Sequence, residues 1–161
     1  MILYTVVPCY NEEDALPETV RILSDKYFTL MRKGMISEES RILLVDDGSS
    51  DDTWNMIREY HDKKPIFCGL KLSRNRGHQN ALYAGLMAAA PHCDAAVSID
   101  ADLQDDVDAI DQMIVKFDDG YDIVYGVRNK RDSDRFMKRF TAEGYYKIMR
   151  LCGAQIIFNH A

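Results

Sequence analysis

Asp100, Asp102 and Gln104 occupy alternate positions directly behind an apolar run at residues 95–99. Alternate positions of an extended segment point the same way, so three oxygen donors can converge there on one hard divalent cation, Mg2+ or Mn2+. Capping of a following helix is the ordinary use of such acids, and Asp105 or Asp106 fits it; Asp100, still at the strand end, does not. A second acidic pair opens the stretch Asp46-Asp47-Gly48-Ser49-Ser50. A turn before a helix calls for these residue types in any case, and a carboxylate placed here could equally accept from the ring N–H of a nucleobase. A third polar cluster, Cys9-Tyr10-Asn11-Glu12, follows the first apolar run, and Gly126-Val127-Arg128 follows the last.

Such groups need a scaffold that brings them to one place. Apolar runs of strand length at residues 2–7, 41–45, 66–72, 95–99 and 121–125 alternate with helical spacing at residues 15–33, from about 51 to 60, 77–90, 107–117 and 134–151. Pro8 is expected to end the first strand and Pro91 the third helix. Strands alternating with helices predict an α/β fold, an open, largely parallel sheet with helices on both faces. Ligands of such sheets sit at the carboxyl ends of the strands, which is where all four polar clusters fall. No repeat or linker interrupts the series, so residues 1–161 read as a single domain. The final residues, Ala154 to Ala161, resemble the opening of a further strand or loop and predict a chain truncated at its C-terminal end.

Composition narrows the classes. Of 161 residues, 47% are apolar and 29% charged, enough for one core and too ordered in composition for a disordered chain. An isoelectric point near 5.2 argues against nucleic acid as a partner. The first 127 residues carry 12 Lys+Arg against 23 Asp+Glu, a net of minus 11, whereas residues 128–150 carry plus 5. The basic stretch includes Phe136 and Phe140 among Lys138, Arg139, Lys147 and Arg150; such a helix either packs in a core or lies on anionic lipid. The four cysteines form no Cys-x-x-Cys pair and are expected to be reduced thiols of a cytoplasmic protein. Neither a basic leader nor an apolar membrane span is visible. A P-loop and a Gly-x-Gly-x-x-Gly fingerprint are both absent, and receiver or dehalogenase-type readings lack their acid after the first strand.

Taken in order, Val6-Val7-Pro8-Cys9-Tyr10-Asn11-Glu12-Glu13, Val45-Asp46-Asp47-Gly48-Ser49-Ser50-Asp51-Asp52-Thr53, Ser73-Arg74-Asn75-Arg76-Gly77-His78-Gln79-Asn80-Ala81, Asp100-Ala101-Asp102-Leu103-Gln104-Asp105 and Val124-Tyr125-Gly126-Val127-Arg128 resemble the inverting family 2 glycosyltransferases of GT-A fold. The Asp-Ala-Asp-Leu-Gln form and the Ser-Arg-Asn-x-Gly-His-Gln stretch are most similar to the polyisoprenyl-phosphate branch, which includes dolichyl-phosphate mannose synthase and the bactoprenol glucosyltransferases. The resemblance implies inverting transfer of a hexose from a UDP- or GDP-sugar to a polyisoprenyl phosphate such as undecaprenyl phosphate, in cell-envelope glycan synthesis. It implies that Pro8, Tyr10, Glu12, Asp47 and Asp100 line the nucleotide-sugar, with Asp47 at the base edge. Asp100, Asp102 and Gln104 would hold the metal, and Asp102 and Arg128 would serve catalysis. His78 and Gln79 read as first-turn helix residues rather than donor contacts. The branch also implies work at the cytoplasmic face of a membrane, with the basic helix 134–151 as the contact. The resemblance implies that the family's further acidic residue, and the membrane helices of many relatives, would follow Ala161, so this chain by itself is expected to bind donor without turnover, and a donor-binding module is the alternative reading.

Overall fold

The computed structural model describes residues 1–126, of which Met1–Gly120 form one compact unit and Tyr121 begins a second. The first unit holds four strands, β1 (Leu3–Cys9), β2 (Arg41–Asp46), β3 (Phe67–Lys71) and β4 (Ala95–Ser98). All pair in parallel, in the order β3-β2-β1-β4. Four helices intervene or follow: α1 (Leu16–Arg32), α2 (Thr53–Lys63), α3 (His78–Ala89) and α4 (Ala109–Asp118). The central strands β1 and β2 are buried on both faces, as a sheet sandwiched between helices requires, and the outer strands β3 and β4 alternate more covered and exposed positions.

The two faces are covered unequally. On one, Leu16, Val20, Leu23, Tyr27 and Leu30 of α1, with Ile57 of α2 and Ile110 and Ile114 of α4, pack on Leu3, Val7, Ile42, Leu44 and Phe67. The three-to-four spacing that predicted α1 is the spacing of its buried stripe. Tyr27 also anchors that helix through its hydroxyl, 2.8 Å from Thr5 Oγ1 and 3.1 Å from the Arg41 carbonyl. Among the described residues the other face carries α3 alone, whose small residues Ala81, Gly85 and Ala89 sit against Val6, Leu43 and Val45. The absence of a side chain at Gly85 lets helix and sheet approach closely: a Cβ there would stand 2.8 Å from Val45 Cγ2 and nearer still to Val6.

Two expectations change. Pro8 does not end β1, which continues to Cys9. The Val6 carbonyl accepts from Ile99 N and the Cys9 carbonyl from Asp47 N, so even positions of β1 face β4 and odd ones β2. Pairing with β4 stops at Val6 and Ser98, so the amide that Pro8 lacks would have pointed past the end of β4, where no strand among the described residues runs. Residues 121–125, expected as a fifth strand, form none: Tyr121, Ile123 and Tyr125 are exposed, no strand among the described residues pairs with this run, and apolar alternation alone does not make a strand. The basic helix 134–151 lies outside the described residues. No helix among the described residues is long and apolar enough to cross a membrane.

Candidate active site

Strand order places the site. From β1 the chain moves outward through β2 to β3 and then returns to the other side of β1 as β4, so β1 and β4 flank the point at which the direction of winding reverses. The polar loops after β1, β2 and β4 meet above it.

The loops after β1 and β2 are joined by hydrogen bonds between side chains and backbone. Asn11, held at a positive φ of 55°, donates its amide to Ser49 Oγ at 3.0 Å and accepts from Ser50 N through Oδ1 at 2.9 Å. Glu12 N donates to Thr53 Oγ1 at 2.9 Å. Glu13 and Asp51–Asp52 exchange a reciprocal pair, Glu13 N to Asp51 Oδ2 at 3.1 Å and Asp52 N to Glu13 Oε2 at 2.9 Å. Asp51 Oδ1 also accepts from Thr53 N, which is how α2 begins two residues later than its cap-rich sequence suggests. Asn11, Ser49 and Thr53 were not candidates from sequence; the Ser/Thr/Asn content of the two loops was the available signal.

Asp46 and Asp47 have different roles. Asp46 is fully buried; its Oδ1 accepts from Ser49 N at 3.0 Å and its Oδ2 lies 3.7 Å from Lys71 Nζ, which itself sits over the Trp54 ring. Asp47, 2% exposed, accepts from Arg76 N through Oδ1 at 2.7 Å and from Gly77 N through Oδ2 at 2.8 Å. Both of its oxygens are thus engaged by the loop that enters α3.

The segment after β4 turns sharply. Ala101 is buried in the larger core cluster, and its carbonyl accepts from the Thr19 hydroxyl of α1, which fixes the middle of Asp100-Ala101-Asp102 and leaves both flanking carboxylates exposed. Leu103, at a positive φ of 48°, folds the chain back. Gln104 then donates to Asp102 twice, from Nε2 to Oδ2 at 2.7 Å and from its backbone N to Oδ1 at 3.2 Å. Gln104 is therefore placed to orient Asp102, and neither bond uses its side-chain oxygen; the left-handed turn at Leu103 interrupts the extended alternation between them. His78, the first residue of α3, brings Nε2 to 3.6 Å from Asp100 Oδ1, a contact with the site that the sequence reading did not expect.

Glu12 shows the field of this region. Partial burial pushes its carboxyl above the usual range, and the nearby charges of Asp102, Asp51 and Asp100 push it further the same way. Four carboxylates thus crowd one edge, a donor set of hard oxygens with excess negative charge. No group of three acidic, His or Cys side chains among the described residues is close enough to enclose an ion. That arrangement suits Mg2+ or Mn2+ all the same, since such ions are commonly held by one or two carboxylates together with substrate phosphates. Pro8 lies buried at the end of β1, Tyr10 presents its ring at the rim with 47% exposure, and Arg128 lies outside the described residues. Cys9, Cys68 and Cys93 are free thiols, and burial raises Cys9 to about 12, which keeps it protonated beneath the site.

Comparison with known proteins agrees with this architecture. The model of the family described as glycosyl transferase family 2 matches residues 4–159. The uncharacterized glycosyltransferase YkoT of Bacillus subtilis is 46% identical over 160 residues, 99% of this chain and 48% of that protein. The prophage bactoprenol glucosyl transferase homolog of Escherichia coli is 37% identical over 151 residues, 92% of this chain and 46% of that protein. The chain thus spans about half the length of the curated relatives it matches. Among solved structures, S. aureus TarS superposes with a TM-score of 0.59 at 20% identity, covering 84% of this chain and 23% of TarS. The mannosyltransferase PcManGT of Pyrobaculum calidifontis, in complex with GDP-Man and Mn2+, gives a TM-score of 0.52 at 22% identity, covering 62% of this chain and 27% of that one. The sheet is of GT-A type, and on the strength of the family match over nearly its whole length the chain belongs to glycosyl transferase family 2.

Proposed function

We propose that this chain is the donor-binding part of a glycosyltransferase that moves a hexose from a UDP- or GDP-sugar to a polyisoprenyl phosphate, with inversion, for cell-envelope glycans. The observation that carries the donor half is the meeting of Glu12, Asp100 and Asp102 at the carboxyl edge beside β1. The acceptor half rests on the 36–37% identity to proteins named bactoprenol glucosyl transferases.

Asp100 and Asp102 would hold Mg2+ or Mn2+, which when bound supplies positive charge against a diphosphate leaving group. Gln104 keeps the Asp102 carboxylate turned to the site through its two hydrogen bonds. Pro8, Tyr10 and Glu12 border the place for nucleoside, with Tyr10 offering a ring face for stacking. Asp47 serves by holding the neighbouring loop, and Asp102 and Arg128 are the residues assigned to the chemical step. The acceptor phosphate is already anionic at neutral pH, so these residues have to position it more than deprotonate it. A membrane-surface contact through the basic residues 134–151 at the cytoplasmic face belongs to the same proposal.

The test is formation of lipid-linked sugar from UDP-glucose or GDP-mannose and undecaprenyl phosphate by the longest polypeptide containing this chain. Product is expected with one of the two donors. Donor binding without any lipid-linked product would favour the alternative, a nucleotide-sugar-binding module.

A further inference from the structure

The loop of residues 73–77 is more firmly held than an exposed loop needs to be. It leaves β3 with Leu72 N bonded to the Asp46 carbonyl at 2.8 Å and enters α3 at His78, whose ring reaches Asp100. It therefore runs along the carboxyl edge from the end of β2 to the end of β4. In between, the two oxygens of Asp47 take the amides of Arg76 and Gly77 at 2.7 and 2.8 Å. Gly48, at a φ of +71°, lies so close beneath that a Cβ would stand 2.5 Å from the Arg74 carbonyl carbon. A buried carboxylate and a side-chain-free floor thus fix the backbone of Arg74 and Arg76.

What the loop presents is positive charge that no acid among the described residues meets. Arg74 and Arg76 are exposed, and neither guanidinium has a carboxylate partner among the described residues. Arg21, Lys26, Lys33, Lys63 and Lys71 each have one. The acids across the edge, Glu12, Asp51, Asp100 and Asp102, crowd one another instead of pairing with these arginines. Guanidinium groups at alternate positions on a rigid backbone suit an oxyanion that accepts several charge-assisted hydrogen bonds.

We infer that the loop of residues 73–77 is a phosphate-holding arm, with Arg74 and Arg76 as its ligands and Asp47 as the positioning residue that latches it. This rests on the proposed function, since it assigns the phosphate of either the nucleotide donor or the lipid acceptor to a particular pair of side chains. It also gives Asp47 a role independent of the base: a residue that reads a base changes selectivity among nucleotides, whereas a latch affects every phosphate ligand alike.

The experiment measures binding of inorganic pyrophosphate, UDP, GDP and vesicles with and without undecaprenyl phosphate to the 161-residue chain and to Arg74→Gln/Arg76→Gln. The double variant is expected to lose about tenfold or more in affinity for one phosphate class. Loss for pyrophosphate and nucleotide assigns the arm to the donor, and loss confined to the lipid phosphate assigns it to the acceptor. Asp47→Asn is expected to weaken pyrophosphate as much as nucleotide, with little further loss when combined with the arginine changes. Unchanged affinity of the double variant for all four ligands would overturn the inference while leaving the proposed function standing if the parent chain binds nucleotide. A parent chain that binds pyrophosphate but neither nucleotide would instead sink the proposed function, with the arm still judged by pyrophosphate alone. Should Asp47→Asn lower the melting temperature, the exposed arginines decide the matter.

Discussion

Thr19 is a residue that no motif announces, yet it determines where the acids stand. Its hydroxyl on the buried stripe of α1 reaches the carbonyl of Ala101, between Asp100 and Asp102. Thr19→Val keeps the shape and removes the donor, leaving a buried carbonyl unmet, so the expected loss is about 1–3 kcal/mol in denaturant unfolding. An unchanged unfolding midpoint would show that the bond holds nothing in place. The acids themselves were legible from sequence because alternate spacing behind a strand has few other uses. The hydrogen bonds from Gln104 to Asp102 were not, since they depend on a single left-handed residue, Leu103, between the two. Asp47 was legible as a site residue but not as a latch, because its partners, Arg76 and Gly77, stand some thirty positions later and nothing in either segment names the other.

At the scale of elements, two contacts set where the loops are carried. The first is the close seat of α3 on the sheet at Gly85. Gly85→Ala would improve helix propensity but would drive a methyl into Val6 and Val45, and overpacking of this kind costs about 1–3 kcal/mol. A lowered melting temperature is the expected result, and a raised one would mean that α3 can withdraw without penalty. The second is the ion-pair cluster between α1 and α4, in which Lys26 meets both Asp108 and Asp111 and Lys33 meets Asp111 at 2.8 Å. Burial acts to raise the Asp111 carboxyl, but the hydrogen bonds from Lys26 and Lys33 outweigh it and hold Asp111 below the ordinary carboxylate range. A carboxylate with a depressed pKa adds stability above its unfolded-state value, and that stability is lost as pH falls through the folded-state value. Asp111→Asn should therefore lower stability by about 1–3 kcal/mol near pH 7. The gap to the parent chain should begin to narrow as pH falls through about 4, where the unfolded carboxyl takes up its proton, and close only below the lowered folded-state value. A gap independent of pH would assign the loss to packing. The helices and the central strands were legible from periodicity and burial pattern. The residues at 121–125 were misread because apolar alternation marks a candidate strand and says nothing of whether a neighbour is there to pair with it.

At the scale of the molecule, the parallel sheet in the order β3-β2-β1-β4 brings the separated motifs after β1, β2 and β4 to one edge. That convergence was predictable from the alternation of strands and helices, since a parallel sheet puts all its strand-to-helix loops on one side. The pairing order itself was not, because it depends on which crossover packs where. The central claim is that this edge binds a nucleotide through Asp100, Asp102 and a divalent ion, and calorimetry of UDP and GDP with the 161-residue chain, in Mn2+ and in EDTA, tests it most directly. One nucleotide is expected to bind in Mn2+, with affinity falling by about tenfold or more in EDTA and in Asp102→Asn, because each removes charge beside the diphosphate. Binding that neither EDTA nor Asp102→Asn weakens, or no binding of either nucleotide, would contradict the account.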